Sequence, residues 1–276
     1  MKISQHTYDL ILANALFGVS YAVVVSILEG QSLRLEPDSI FAVQVVVAAI
    51  IFLPHVRLSQ LRQHLPHIVR NTIILIFGWQ RLTLIGVDST STVNVAAISA
   101  AGIVVTLCAK RNIHRLREFC APFAVVILAM PFVADLAGEW FVAAGIVSVA
   151  ISTILSRDVV RSIGAASALA LYSVVALALL PVVAPLNIAH DITHAVTAGG
   201  ETGLLLLFQS TLGSALPLYL LLRGSAATTP LTTALCRYVQ SAVALAICYV
   251  PELANVLILI MVAISAVEIF VRCDDE

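Results

Sequence analysis

The sequence predicts an all-α integral membrane protein of ten transmembrane helices, arranged as two inverted five-helix repeats. Three observations lead there. Of 276 residues, 60% are hydrophobic and only 11% charged, and mean hydropathy is +1.02. A soluble domain carries about 25% charged residues, so this chain lacks the polar surface to cover a globule in water. Its apolar segments are too long for strands and lack period-two alternation. Its basic residues also alternate in density from one inter-span segment to the next.

A helix needs about 20 mainly apolar residues to cross the hydrocarbon. Charge clusters, Pro and Gly then delimit spans at 8–28, 39–54, 68–84, 89–108, 119–134, 140–156, 165–186, 203–222, 229–250 and 254–271. The first apolar run continues through Tyr21 to Leu28. It is longer than a signal-peptide core and is read as a retained span.

With the N-terminus cytoplasmic, twelve basic residues fall inside: Lys2, Arg57, Arg62, Arg70, Lys110, Arg111, Arg115, Arg117, Arg157, Arg161, Arg223 and Arg272. Only Arg34 falls outside, while Arg81 and Arg237 lie within spans. A miscount of one span would scramble this alternation. Both termini are therefore expected on the cytoplasmic side of the cytoplasmic membrane. The basic loops 55–70 and 110–117 follow from topology alone.

Ten spans invite a search for two halves, here 1–134 and 135–276. Shifting the chain by 138 residues lays Gly86–Ala101 over Gly224–Val239. Gly86 then meets Gly224, Thr90 meets Thr228, Ser91 meets Thr229 and Ala96 meets Ala234. Because five is odd, the halves insert with opposite orientation, an arrangement suited to alternating access.

Arg237 is the sharpest chemical feature. An arginine at the centre of a span costs at least ~2.5–3.5 kcal/mol on insertion scales. It is too deep to snorkel, so it should face the bundle interior. Thr233 at i−4 and Gln240 at i+3 share its face, flanked by Tyr238 and Ser241. Such a cluster suits a carboxylate or phosphate, which the guanidinium fork grips at two points. The alternative is a structural arginine bonded to carbonyls or to Glu268 on the last span. Elsewhere, Arg81 is read as snorkelling to headgroups, Trp79 as an interfacial anchor and Gln80 as facing a cavity mouth. Asn94 and Ser99 are read as permitting close helix packing. Gln209, Gly213 and Pro217 recur every four residues as a polar, kinkable stripe that also carries Ser210, Ser214 and Tyr219.

The chain resembles the drug/metabolite transporter superfamily, of the ten-helix EamA-like kind. The segments that carry the resemblance are ANALFGVSYAVVV (Ala13–Val25), EPDSIFAVQVVVAAIIFLP (Glu36–Pro54), GVDSTSTVNVAA (Gly86–Ala97) and GSAATTPLTTAL (Gly224–Leu235). It differs in having Phe17 before Gly18, Gln44 where an arginine is common, and no proline within the fourth or ninth span. The resemblance implies a central cavity lined by the first, third, fourth, sixth, eighth and ninth spans. By span, that implicates Ser20, Tyr21, Ser152, Gln209, Tyr219, Arg237 and Gln240. It implies a secondary transporter, with export the favoured direction. Arg237 argues for a solute bearing a carboxylate or phosphate, an amino acid or related metabolite first.

Several features are absent from the sequence. There is no nucleotide-binding loop, no HExxH, no GxSxG and no CxxC among the five scattered cysteines. His190 and His194 flank Asp191 in a loop with no third ligand evident, so no metal is expected. The chain is not expected to be an enzyme or to need a cofactor. Expected partners are a small-molecule solute and the lipid bilayer, with a homodimer left open and nucleic acid excluded. The rival classes are a membrane-embedded enzyme or lipid-handling protein, and a non-transporting subunit whose Arg237 pairs with another chain's acid.

Overall fold

The computed structural model describes residues 4–28, 35–56, 58–111, 123, 126–127, 130–132, 137–183, 193 and 201–248. Among these the chain is helical throughout, with no strand. The elements, in order, are α1 (Gln5–Leu28), α2 (Pro37–Phe52), α3 (Leu58–Asn71), a π-helical segment (Thr72–Arg81) and α4 (Leu82–Ser89). Then follow α5 (Thr92–Arg111), α6 (Gly138–Leu155), α7 (Arg157–Ile163), α8 (Ala165–Val183) and α9 (Glu201–Ser210). A second π-helical segment (Thr211–Ala215), α10 (Leu216–Ala227) and α11 (Pro230–Cys248) complete the described chain.

Among the described residues, six helices are long and apolar enough to cross a membrane: Gln5–Leu28, Pro37–His55, Arg62–Ser89, Gly138–Leu155, Ala165–Val182 and Thr202–Ala227. They mark the chain as a membrane protein. They correspond to the first, second, third, sixth, seventh and eighth spans expected from sequence. The fourth and ninth expected spans are the helices α5 and α11, of 20 and 19 residues. The fifth and tenth, at 119–134 and 254–271, lie outside the described residues or nearly so.

The solvent preference of the surface is inverted. Ile50, Ile51, Val104, Trp140, Val182, Leu204 and Leu207 are exposed, whereas Asn14, Gln44, Asn71, Gln209, Gln240 and Arg237 are buried. Lipid tails solvate apolar side chains, so polar groups gather where other helices can satisfy them. Asn71 shows the principle, donating to the Tyr172 hydroxyl at 3.1 Å across the interface of α3 and α8.

Helix packing follows a few close interfaces. α1 lies against α11 and α10, while α6 lies against α5 and the stretch formed by the first π segment and α4. α5 packs on α11, and α2 on α8. Short breaks join consecutive helices. Thr90, between α4 and α5, is extended at φ −145°, and Thr228, between α10 and α11, is extended at φ −108°. Pro230 then opens α11, where its missing N–H is not needed. Arg157 and Arg161 of α7 donate to the carbonyls of Thr228 and Ala226, which the end of α10 leaves free.

Close approach requires glycine at several positions, Gly86 and Gly224 among them. A Cβ on Gly86 would sit 2.5 Å from Val142 Cγ2 and 2.9 Å from the Gly138 carbonyl, on the first turns of α6. A Cβ on Gly224 would sit 2.7 Å from Leu10 Cγ and 2.9 Å from the His6 carbonyl, on the first turns of α1. The backbone oxygens cannot retreat without moving a helix. We therefore expect Gly86→Ala and Gly224→Ala each to destabilise the protein by about 1–3 kcal/mol, as overpacking does. Gly203→Ala, with nothing within 4 Å of its Cβ position, should be close to neutral. Unfolding of the purified protein in mixed micelles measures all three.

Candidate functional site

The bundle encloses a cavity of about 50 Å³, room for about four waters. Its wall is built by α1, α2, the first π segment with α4, the second π segment with the end of α9, and α11. The two π segments deliver much of the polarity. A π turn widens the helix by one residue and re-aims the side chains around it, which is why such turns recur at functional sites. Trp79 and Gln80 belong to the first, Gly213 and Ser214 to the second.

Four glutamines meet the cavity: Gln44, Gln80, Gln209 and Gln240. Ser20 and Gln209 are joined twice across α1 and α9. The Ser20 hydroxyl donates to Gln209 Oε1 at 3.0 Å and accepts from Nε2 at 2.7 Å. Gln80 Nε2 donates to Ser214 Oγ at 2.8 Å, tying one π segment to the other. Gly213 leaves space for the folded Gln209 side chain, since a Cβ there would lie 2.6 Å from Oε1. Phe17 and Trp79 close one side edge to face, their ring centroids 4.7 Å apart.

Polarity continues past this wall. Tyr21 approaches Ser99 and Gln240, yet Tyr21 Oη and Ser99 Oγ have no hydrogen-bond partner among the described residues. Arg237 lies one turn along α11 from Gln240. It is 4% exposed, and neither Nη1 nor Nη2 has a hydrogen-bond partner among the described residues. Gly102 lies beside it: a Cβ there would be 3.4 Å from Nη1.

Of the nine residues expected at the site, Ser20, Tyr21, Gln209 and Gln240 line the cavity. The others are placed differently. Arg237 sits behind Gln240, and Tyr238, beside it on α11, is half-buried. Thr233 bonds back to the Thr229 carbonyl at 3.1 Å and meets Thr228 Oγ1 at 3.3 Å, bracing the start of α11. Ser152 donates to the Val149 carbonyl within its own helix. Tyr219 packs on Phe52, ring centroids 5.7 Å apart.

Two expectations in the third span are corrected. Arg81 does not snorkel. It is 3% exposed and forks onto Asp38, Nε to Oδ1 at 2.7 Å and Nη2 to Oδ2 at 2.9 Å. Asp38 occupies the first turn of α2, so an acid assigned to an outer loop reaches the arginine directly. Trp79 is not an interfacial anchor either; it is buried against Phe17 at the cavity wall. Gln80 does face the cavity, as expected. Asn94 bonds Glu139 at 3.0 Å rather than serving only to let helices approach.

Sequence reasoning passed over Asp9, Gln44 and Thr83. Asp9 is buried in the second turn of α1 and pairs with Arg223 Nε at 3.3 Å. Its signal was an acid inside the first apolar run. Gln44 interrupts VQVVVAAII in the same way. Thr83 gives no signal, because a threonine in a span most often bonds its own helix.

No family model matches the chain, and no curated protein matches it. A solved crystal structure is similar to it at a TM-score of 0.66 with 15% sequence identity, over 96% of this chain and 96% of the other. At that identity the likeness concerns the fold alone. Fold and site thus define an all-helical membrane protein with a small, neutral, amide-lined cavity at its centre.

The Arg81–Asp38 pair yields a test. Asp38→Asn leaves a buried guanidinium without its counter-charge, and should destabilise the protein by about 3–5 kcal/mol. Adding Arg81→Gln should recover much of that loss, because the orphaned charge is gone. Denaturant titration of the two variants beside wild type reads both effects.

Proposed function

We propose that the protein is a secondary transporter, favouring export, that moves a small anionic metabolite by alternating access. Arg237 is the observation that carries this reading. Its Nη atoms are buried without a hydrogen-bond partner among the described residues, one helical turn from a polar cavity. An unpaired guanidinium is costly in a bilayer, and a solute carboxylate or phosphate gripping both nitrogens would offset that cost in the loaded state. Gln240, Gln209 and Ser20 supply hydrogen bonds to the rest of the solute. The cavity is too small for a metabolite in this closed form, so opening must enlarge it and join it to Arg237.

The reading includes ten spans in two inverted repeats, the architecture of the EamA-like transporters that the sequence resembles. Several observations support it. Under the shift of 138 residues the extended Thr90 meets the extended Thr228, and the closely packed Gly86 meets the closely packed Gly224. The π segment at Thr72–Arg81 overlies the one at Thr211–Ala215. Exchanging the halves also converts the α1–α11 interface into α6–α5, and α1–α10 into α6–α4, interfaces that are all present. Halves related in this way enclose a midplane site that can open to either side.

Uptake into proteoliposomes tests the function, using pooled labelled organic acids, phosphorylated metabolites and amino acids. Wild type should accumulate an anionic solute. Arg237→Gln should lower its uptake by about 100-fold, the range for losing a buried charged hydrogen bond. Arg237→Lys keeps the charge without the fork and should retain an intermediate rate. Normal transport by folded Arg237→Gln would make the arginine structural and remove the anion from the account.

A further inference from the structure

The cavity wall offers a solute cation dipoles but, among its described residues, no counter-charge. Among the described residues that line it, none is Asp, Glu, Lys, Arg or His. The described acids nearest the bundle interior are already engaged. Asp38 is taken by Arg81 and Asp9 by Arg223, while Glu139 serves Thr90 and Asn94. What the cavity does present is hydroxyls and primary amides, each able to donate and accept.

Resting on the anion reading of Arg237, we infer that the solute is an ammonium-free carboxylate carrying hydroxyl groups, and that zwitterionic amino acids are excluded. This replaces the amino acid favoured from sequence. A carboxylate brought to Arg237 balances the charge of the site. An ammonium on the same molecule would restore a net charge in a site whose described residues supply hydrogen-bond acceptors but no counter-charge for it. A buried ion without a partner loses its hydration and gains too little in return. The ring faces of Phe17, Trp79 and Tyr21 do not make up the difference, because a cation–π contact recovers only part of that loss, and Phe17 and Trp79 are turned on each other. A hydroxyl at the same carbon meets the opposite situation. It can donate to a glutamine carbonyl and accept from a glutamine amide or from Ser20. Selectivity of this kind comes from the unfavourable term against the wrong solute as much as from the contacts made to the right one.

Two isosteric pairs test it: L-lactate against L-alanine, and L-malate against L-aspartate, in each of which one hydroxyl replaces one ammonium. Labelled uptake of all four is measured in proteoliposomes of wild type, Arg237→Gln and Gln44→Glu. In wild type at least one hydroxy acid should enter about 10-fold or more faster than its amino partner, the discrimination expected for an unpaired buried charge. Arg237→Gln should abolish that uptake. Gln44→Glu places a carboxylate in the wall and should shift the hydroxy-to-amino ratio toward the amino acid by about 10-fold. A ratio taken within one variant does not depend on how much of it folds. Alanine or aspartate entering as fast as its partner, with uptake still dependent on Arg237, overturns the inference and leaves the anion reading standing. Uptake of phosphorylated metabolites but none of the four acids does the same. If no anion in the pooled screen moves at all, both fall together.

Discussion

A buried guanidinium must be answered by something, and the structure depends on how the arginines between its helices are answered. Arg81 is answered by Asp38. Arg223 is answered by Asp9, and Arg157 and Arg161 by the carbonyls that end α10. These pairings connect helices that are distant in sequence: α2 to the first π segment, α1 to α10, and α7 to the break before α11. Arg237 differs. It is as deeply buried as Arg81, yet its Nη atoms have no hydrogen-bond partner among the described residues. The proposed anion binding rests on that difference.

The cavity beside it has a consistent chemical character. Its polar groups are amides and hydroxyls, held in place by bonds to one another across helices. Ser20 with Gln209, and Gln80 with Ser214, connect the walls. A hydroxyl brought into the cavity could exchange with these bonds, since it donates and accepts as the amides and hydroxyls do, whereas a carboxylate only accepts. Both π segments meet at this level. Their irregular turns give these two long helices a place to bend, the second just ahead of Pro217.

Much of this was legible in the sequence, and the remainder was not for definable reasons. The apolar composition and span lengths announced a helical membrane protein. The GVDSTST and GSAATTP turns predicted breaks that the structure has at Thr90 and Thr228. Ser20, Tyr21, Gln209 and Gln240 were assigned by span and do line the cavity. Ser152 and Tyr219 were assigned on the same ground, and Thr233 as a neighbour of Arg237 on one helix face; none of the three lines the cavity, because neither a span label nor a shared face says which side of a helix points inward. Arg81 was misread because depth was judged along one helix alone. Its partner arrives from the N-terminus of α2, and only the fold brings them together. The π segments carry no sequence signature, so the register past Thr72 and Thr211, and with it the aim of Trp79 and Ser214, had to come from coordinates.

The central claim is that Arg237 binds the solute rather than the protein. A structure of the protein with L-malate bound tests it most directly. The account predicts a malate carboxylate within hydrogen-bond distance of both Arg237 Nη atoms, with its hydroxyl among Gln240, Gln209 and Ser20. Arg237 found bonded to a protein carboxylate such as Glu268, with malate elsewhere or absent, would contradict it.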